Sequence, residues 1–138
     1  MSFNSILDVS ASSMSAQQVR LNAISSNLAN ADVVAGTEEG AYKPLRPVFA
    51  SVHAQNSVSK TAVAVQVADV VEVQGTVTQR YEPNNPLANE DGLVFVSGVN
   101  VVDEMADMMA AKRGFEASVE VMGSAKKMQQ QLLALWDL

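Results

Sequence analysis

Residues 21–32 read LNAISSNLANAD, and this stretch decides how the chain is to be folded. Leu21, Ile24 and Leu28 fall at helical spacing, yet Asn, Ser and Ala stand where a solvated helix carries Lys and Glu. Working toward the N-terminus, Leu7, Met14, Leu21 and Leu28 recur every seven residues, with Ile6 and Ile24 beside them. That period predicts a helix over residues 3–31 packed in a coiled-coil-like seam. The same segment holds only Asp8 and Arg20 as charges, against seven Ser and four Asn, and both residue types compete for backbone hydrogen bonds. Such a helix is weak alone and calls for cover on more than one side. Neighbouring subunits are the expected cover.

Beyond residue 32 the period changes. Gly36, Gly40, Pro44 and Pro47 break helical continuity, and from Val63 to Tyr81 alternate positions are rich in Val, the period of half-buried strands. Asp69 and Gly75 read as bends in that run. Residues 82–92, EPNNPLANEDG, are turn-rich, and Asp91-Gly92 before LVFV predicts a last hairpin. A small antiparallel sheet is expected here. From about 102 to 136 the helical period returns, with Asp103, or Asn100 a turn earlier, as its cap. Five of the seven methionines lie on this helix, and Ala106, Ala110, Gly114 and Ser118 form a small-residue row that lets another helix approach closely.

These readings give an α+β fold in which long N- and C-terminal helices pair in a coiled-coil-like seam, with a small antiparallel β-rich region inserted between them. Residues 1–32 with 99–138 form a discontinuous helical domain, and 33–98 form the β-rich middle. At 138 residues and 48% apolar, the chain has enough material for one core. Each helix presents one seam to its partner and a second uncharged face suited to burial against copies of itself.

Several function classes are excluded or left without residues to carry them. A net charge of −6 and nine scattered basic residues provide no stripe to follow a phosphate backbone, so no nucleic-acid partner is expected. The absence of Cys removes thiolate metal sites and cysteine nucleophiles. No segment reaches the roughly 20 apolar residues of a membrane span, and MSFNSILDVSASS lacks the pattern of a cleaved signal peptide. The single histidine, His53, stands apart from any serine motif or second ligand. Asp103, Glu104, Asp107, Glu116 and Glu120 read as solvation and dipole pairing of a helix. No catalytic, cofactor-binding or metal residue is assigned and no small-molecule substrate is expected.

Arg20-Leu21 with SNLANAD at 26–32, YEPNNPLANEDG at 81–92, and VNVVDEMADMMAAKRGFEASVEVMGSAKKM at 99–128 closely resemble the flagellar basal-body rod proteins of the rod and hook family. SNLAN is general to that class, while the YxPxxPxA segment and short middle region point to a component of the proximal rod. The match departs at Phe115, where Tyr is common, and at Ser118, in a stretch that usually carries Asn. The resemblance implies a non-enzymatic subunit, exported uncleaved by the flagellar type III apparatus and polymerised in the periplasm into the basal-body rod. Its helices would line an inner tube with the β region outside. Partners would be copies of itself, other rod proteins and the rod-to-membrane-ring junction protein. It also implies assembly roles for Arg20, Leu21, Ser26, Asn27, Leu28, Ala29 and Asn30, and for Val102, Glu104, Met105, Met108, Arg113, Phe115 and Ala117. Leu7, Met14 and Met122 enter from periodicity, and Gly114 and Ser118 from the small-residue row. A soluble helical adaptor or export chaperone, binding partner helices through the same charge-poor faces, is the competing class.

Overall fold

The structure is a computed structural model and describes residues 3–53 and 63–136. The element order is α1 (Phe3–Ala29), β1 (Val34–Ala35), β2 (Leu45–His53), β3 (Val63–Glu72), β4 (Thr78–Tyr81), β5 (Leu93–Val96) and α2 (Val101–Trp136). This is the expected α+β arrangement of two long terminal helices around antiparallel strands. Residues 1–2, 54–62 and 137–138 of the expected units lie outside the described residues.

At 1.5 Å per residue, α1 is about 40 Å long and α2 about 54 Å. Asn100 Oδ1 accepts the Val102 N–H at 3.0 Å, so Asn100 and not Asp103 caps α2. Asp103 and Glu104 in the first turn then favour the positive end of the helix dipole. The helices run antiparallel: Ser13 meets Ser118 at 2.9 Å, Asn27 meets Glu104 at 3.1 Å, and the side chain of Gln17 lies against Gly114. Extending that register places Phe3 level with Met128, so Gln129–Trp136 run past the described start of α1.

Their seam is built from small and polar side chains. Ser13, Gln17 and Asn27 of α1 meet Ser118, Gly114 and Glu104 of α2, and on α2 the deepest positions are Glu104, Ala111 and Ala125. The heptad row Leu7, Met14, Leu21 and Leu28, expected to form the seam, is only half-buried. Small residues let the two backbones come close.

The strands form two sheets where one was expected. β2 and β3 make an antiparallel two-stranded arm from Leu45↔Glu72 to His53↔Val63, and β1-β5-β4 makes a three-stranded sheet. The register of the arm shifts between Val48 and Phe49, opposite Asp69, which accommodates one extra residue on β3. Gly75 lies in the irregular segment between β3 and β4. β4 and β5 pair as the last hairpin, joined by residues 82–92. Gly92 has φ +72°, and a Cβ there would fall 2.9 Å from the Tyr81 ring, so its glycine is required twice over. At Gly98 a Cβ would overlap the Thr76 backbone, which leaves room there only for hydrogen.

The arm lies along α1, with Ser12 Oγ accepting the Val65 N–H at 3.3 Å. The backbone of α2 approaches α1 and no described strand. α1 is therefore covered on two sides by its own chain. α2 covers α1 as expected, the arm covers a second side, and the charge-poor face assigned to neighbouring subunits remains exposed.

Candidate assembly site

Asn27 sits at the point where α1, α2 and the root of the arm meet, and it is fully enclosed. Its Nδ2 donates to the Leu45 carbonyl at 3.0 Å and to Glu104 Oε2 at 3.1 Å. Its Oδ1 accepts the Leu45 N–H at 2.8 Å and the Tyr42 hydroxyl at 3.0 Å. One carboxamide thus pairs both backbone groups of the first residue of β2, as a neighbouring strand would. Both donor hydrogens and both acceptor positions are used, which is the condition for burying an amide without penalty.

Around it runs a chain of charge. Arg46 Nη2 lies 2.6 Å from Glu104 Oε1, and Arg46 Nη1 lies 3.0 Å from Asp107 Oδ2. Asp107 Oδ1 receives Arg20 Nη2 at 3.2 Å. Glu104 is 1% exposed, and Arg46 is 42% exposed. Burying a carboxylate costs several kcal/mol unless it is paired and hydrogen-bonded, and Glu104 has both an Arg and an amide donor. Reading Glu104 and Asp107 as solvated helix charges is therefore corrected: both are tied across elements.

The other motif residues divide by surroundings. Ser26 Oγ shares a hydrogen bond of 3.1 Å with the Tyr42 hydroxyl, and Asn30 Nδ2 donates to the Ser26 carbonyl at 2.8 Å, closing the end of α1. Arg20, Asn27 and Glu104 come together in the cluster. Leu21, Leu28, Met108, Phe115 and Met122 are half-buried, as are Leu7 and Met14. Ala29, Val102, Met105, Arg113 and Ala117 are exposed. Gly114 and Ser118, assigned from sequence to a face for neighbouring subunits, are turned toward α1 of the same chain. A Cβ on Gly114 would stand 3.2 Å from Gln17 Nε2, and Ser118 Oγ reaches both Ser13 and the Gly114 carbonyl. The small-residue row splits, because Ala106 and Ala110 point outward.

Tyr42, Leu45, Arg46 and Asp107 escaped the sequence reading as members of the site. Arg46 carried a signal, as the one charge in the apolar run Pro44–Ala50. Leu45 carried none, because it contributes its backbone alone.

Among the described residues no cluster of three or more His, Asp or Glu side chains is placed to hold a metal, and no helix is long and apolar enough to cross a membrane. What the fold presents is a pair of long helices joined by a polar clamp enclosed at Asn27 and Glu104, with large outward faces. Those features describe a structural subunit of an axial, helical kind. The N-terminal part, residues 7–36, matches the family described as flagella basal body rod protein, and residues 91–135 match the C-terminal family of flagellar basal body rod FlgEFG proteins. The flagellar basal-body rod protein FlgC of Escherichia coli O157:H7 is 40% identical over 98% of both chains. That of Salmonella typhimurium is 38% identical over 98% of both, and that of Aquifex aeolicus 35% over 94% of both. The chain belongs to the FlgC family of flagellar basal-body rod proteins.

Proposed function

We propose that this chain is a structural subunit of the proximal rod, polymerising through the outward faces of its terminal helices into part of the shaft that carries motor torque to the hook and filament. The observation that carries this reading is the exposed side of α1. Its exposed residues are Asn4, Asp8, Ala11, Ser15, Gln18, Asn22, Ser25 and Ala29, two interleaved heptad rows with a single charge. A helix face meant for water carries Lys and Glu, and a smooth uncharged one suits another helix. α2 adds exposed Val102, Met105, Met109, Val119 and Val121, and beyond α1 it exposes Leu132, Leu133 and Leu135. Close-packed long helices resist bending and slippage because protein interiors are dense and barely compressible.

In this proposal residues 1–32 with 99–138 line the inner tube and 33–98 lie outside. The rod stands in the periplasm after type III export, and touches other rod proteins and the rod-to-membrane-ring junction protein. The resemblance of the terminal segments to rod proteins supports these placements. The test is electron microscopy of basal bodies from a strain lacking this gene, beside a complemented control. Loss of the rod and hook beyond a remaining membrane ring is expected, and localisation of a tagged chain to the rod separates a subunit from an export chaperone. Intact basal bodies in the deletion strain overturn the reading.

A further inference from the structure

We propose that Arg46 is a positioning residue that ties the β2–β3 arm to α2, so that load on the arm is shared by both helices and not borne by α1 alone. The inference rests on the rod reading above and names a side chain that ties the arm to α2, in addition to the bonds that hold it to α1. The packing leaves the backbones of the arm and α2 apart. The backbones of the arm and of α2 each approach α1, and the backbone of α2 approaches no described strand. The arm is joined to the rest of the chain through segments 36–44 and 73–77, which contain no helix or strand. Among the described ion pairs, those linking the arm to α2 both belong to Arg46.

The chemistry suits that task. Glu104 and Asp107 are three residues apart on α2 and present their carboxylates side by side, at 2.6 and 3.0 Å from the two terminal nitrogens of one guanidinium. A planar fork held at two points resists rotation, whereas a lysine ammonium is a single point. Glu104 is further fixed by Asn27, and Asp107 by Arg20, so both anchors are themselves held to α1. A push on the arm is thereby opposed by charge-assisted bonds to α2 as well as by packing on α1.

The test compares a deletion strain complemented with the parent gene, with R46K, and with the double variant R46M/E104Q. The double variant leaves no buried unpaired charge at position 104, and the amide oxygen it introduces there still accepts the Asn27 N–H. Hook-basal bodies are counted by electron microscopy, and swimming speed is measured in buffer and in viscous medium. The double variant is expected to build hook-basal bodies within about twofold of the parental number and to keep at least about half the parental speed in buffer. In viscous medium it falls below about one tenth of the parent, with R46K between the two. A speed ratio to parent that does not change with viscosity overturns the proposal. So does absence of rods in the double variant, which would make Arg46 a folding residue. Rods that persist in the uncomplemented deletion strain overturn the rod reading itself, a result separable from both.

Discussion

Asn27 makes four hydrogen bonds from an enclosed position, and replacing it removes all of them together. Asn27→Ala leaves the Leu45 N–H and C=O and the Glu104 carboxylate short of partners, and is expected to lower stability by about 3 kcal/mol. Denaturant unfolding of the full chain measures this, and a loss under about 1 kcal/mol means water replaces the amide. At Glu82 the balance is electrostatic and local. The Asn85 amide at 2.9 Å and, after it, the Arg80 guanidinium at 2.6 Å hold the carboxyl below the usual carboxylate range, against a desolvation that acts in the opposite direction. Because folding lowers this pKa, its stabilisation is complete above the unfolded-state value and disappears as pH falls through the folded-state value. Asn85→Ala should move the Glu82 titration midpoint upward, toward that of a free glutamate, in a carbon-detected NMR titration. An unmoved midpoint would assign the effect to Arg80.

Elements explain why α1 has so unusual a composition. It has no acidic residue in its first turn and no basic residue in its last, so its own dipole is uncompensated. Its Ser and Asn content weakens it further, and tertiary packing has to supply its stability. α2 covers the side that holds Ser13, Gln17 and Asn27, and the arm covers the side that holds Ser12. The remaining side is the exposed double row, whose one charge is Asp8. Ser15→Lys with Asn22→Lys places two charges on it without touching the buried seam. The free chain is expected to keep its stability within about 0.5 kcal/mol, since exposed substitutions away from caps and clusters do little. Spreading through soft agar should nonetheless be abolished, because two ammonium groups would be buried between subunits without partners. Normal spreading with both lysines present would place this face outside the assembly.

The whole molecule is elongated, since a helix of about 54 Å exceeds the roughly 37 Å diameter of a compact chain of this length. That shape was legible in the sequence from the length of the second helical period, as were the two helices and the turn chemistry that reverses the chain at Asp91-Gly92. Periodicity reports local geometry, and local geometry depends on neighbours a few residues away. What the sequence left open was which face of each helix meets which partner. The heptad Leu7, Met14, Leu21 and Leu28 was the obvious seam, but the helices meet through Ser13, Gln17 and Asn27 against Ser118, Gly114 and Glu104, and the heptad row is only half-buried. The polar clamp was equally hidden, because Asn27, Arg46 and Glu104 are far apart in the chain and Leu45 enters through its backbone. The sequence by itself determined the elements, their order and the charge-poor faces, because these follow from residue types at fixed spacing. Only the tertiary structure decided that the arm covers α1 and that Arg46 joins it to α2, because burial and ion pairing depend on groups brought together from distant parts of the chain.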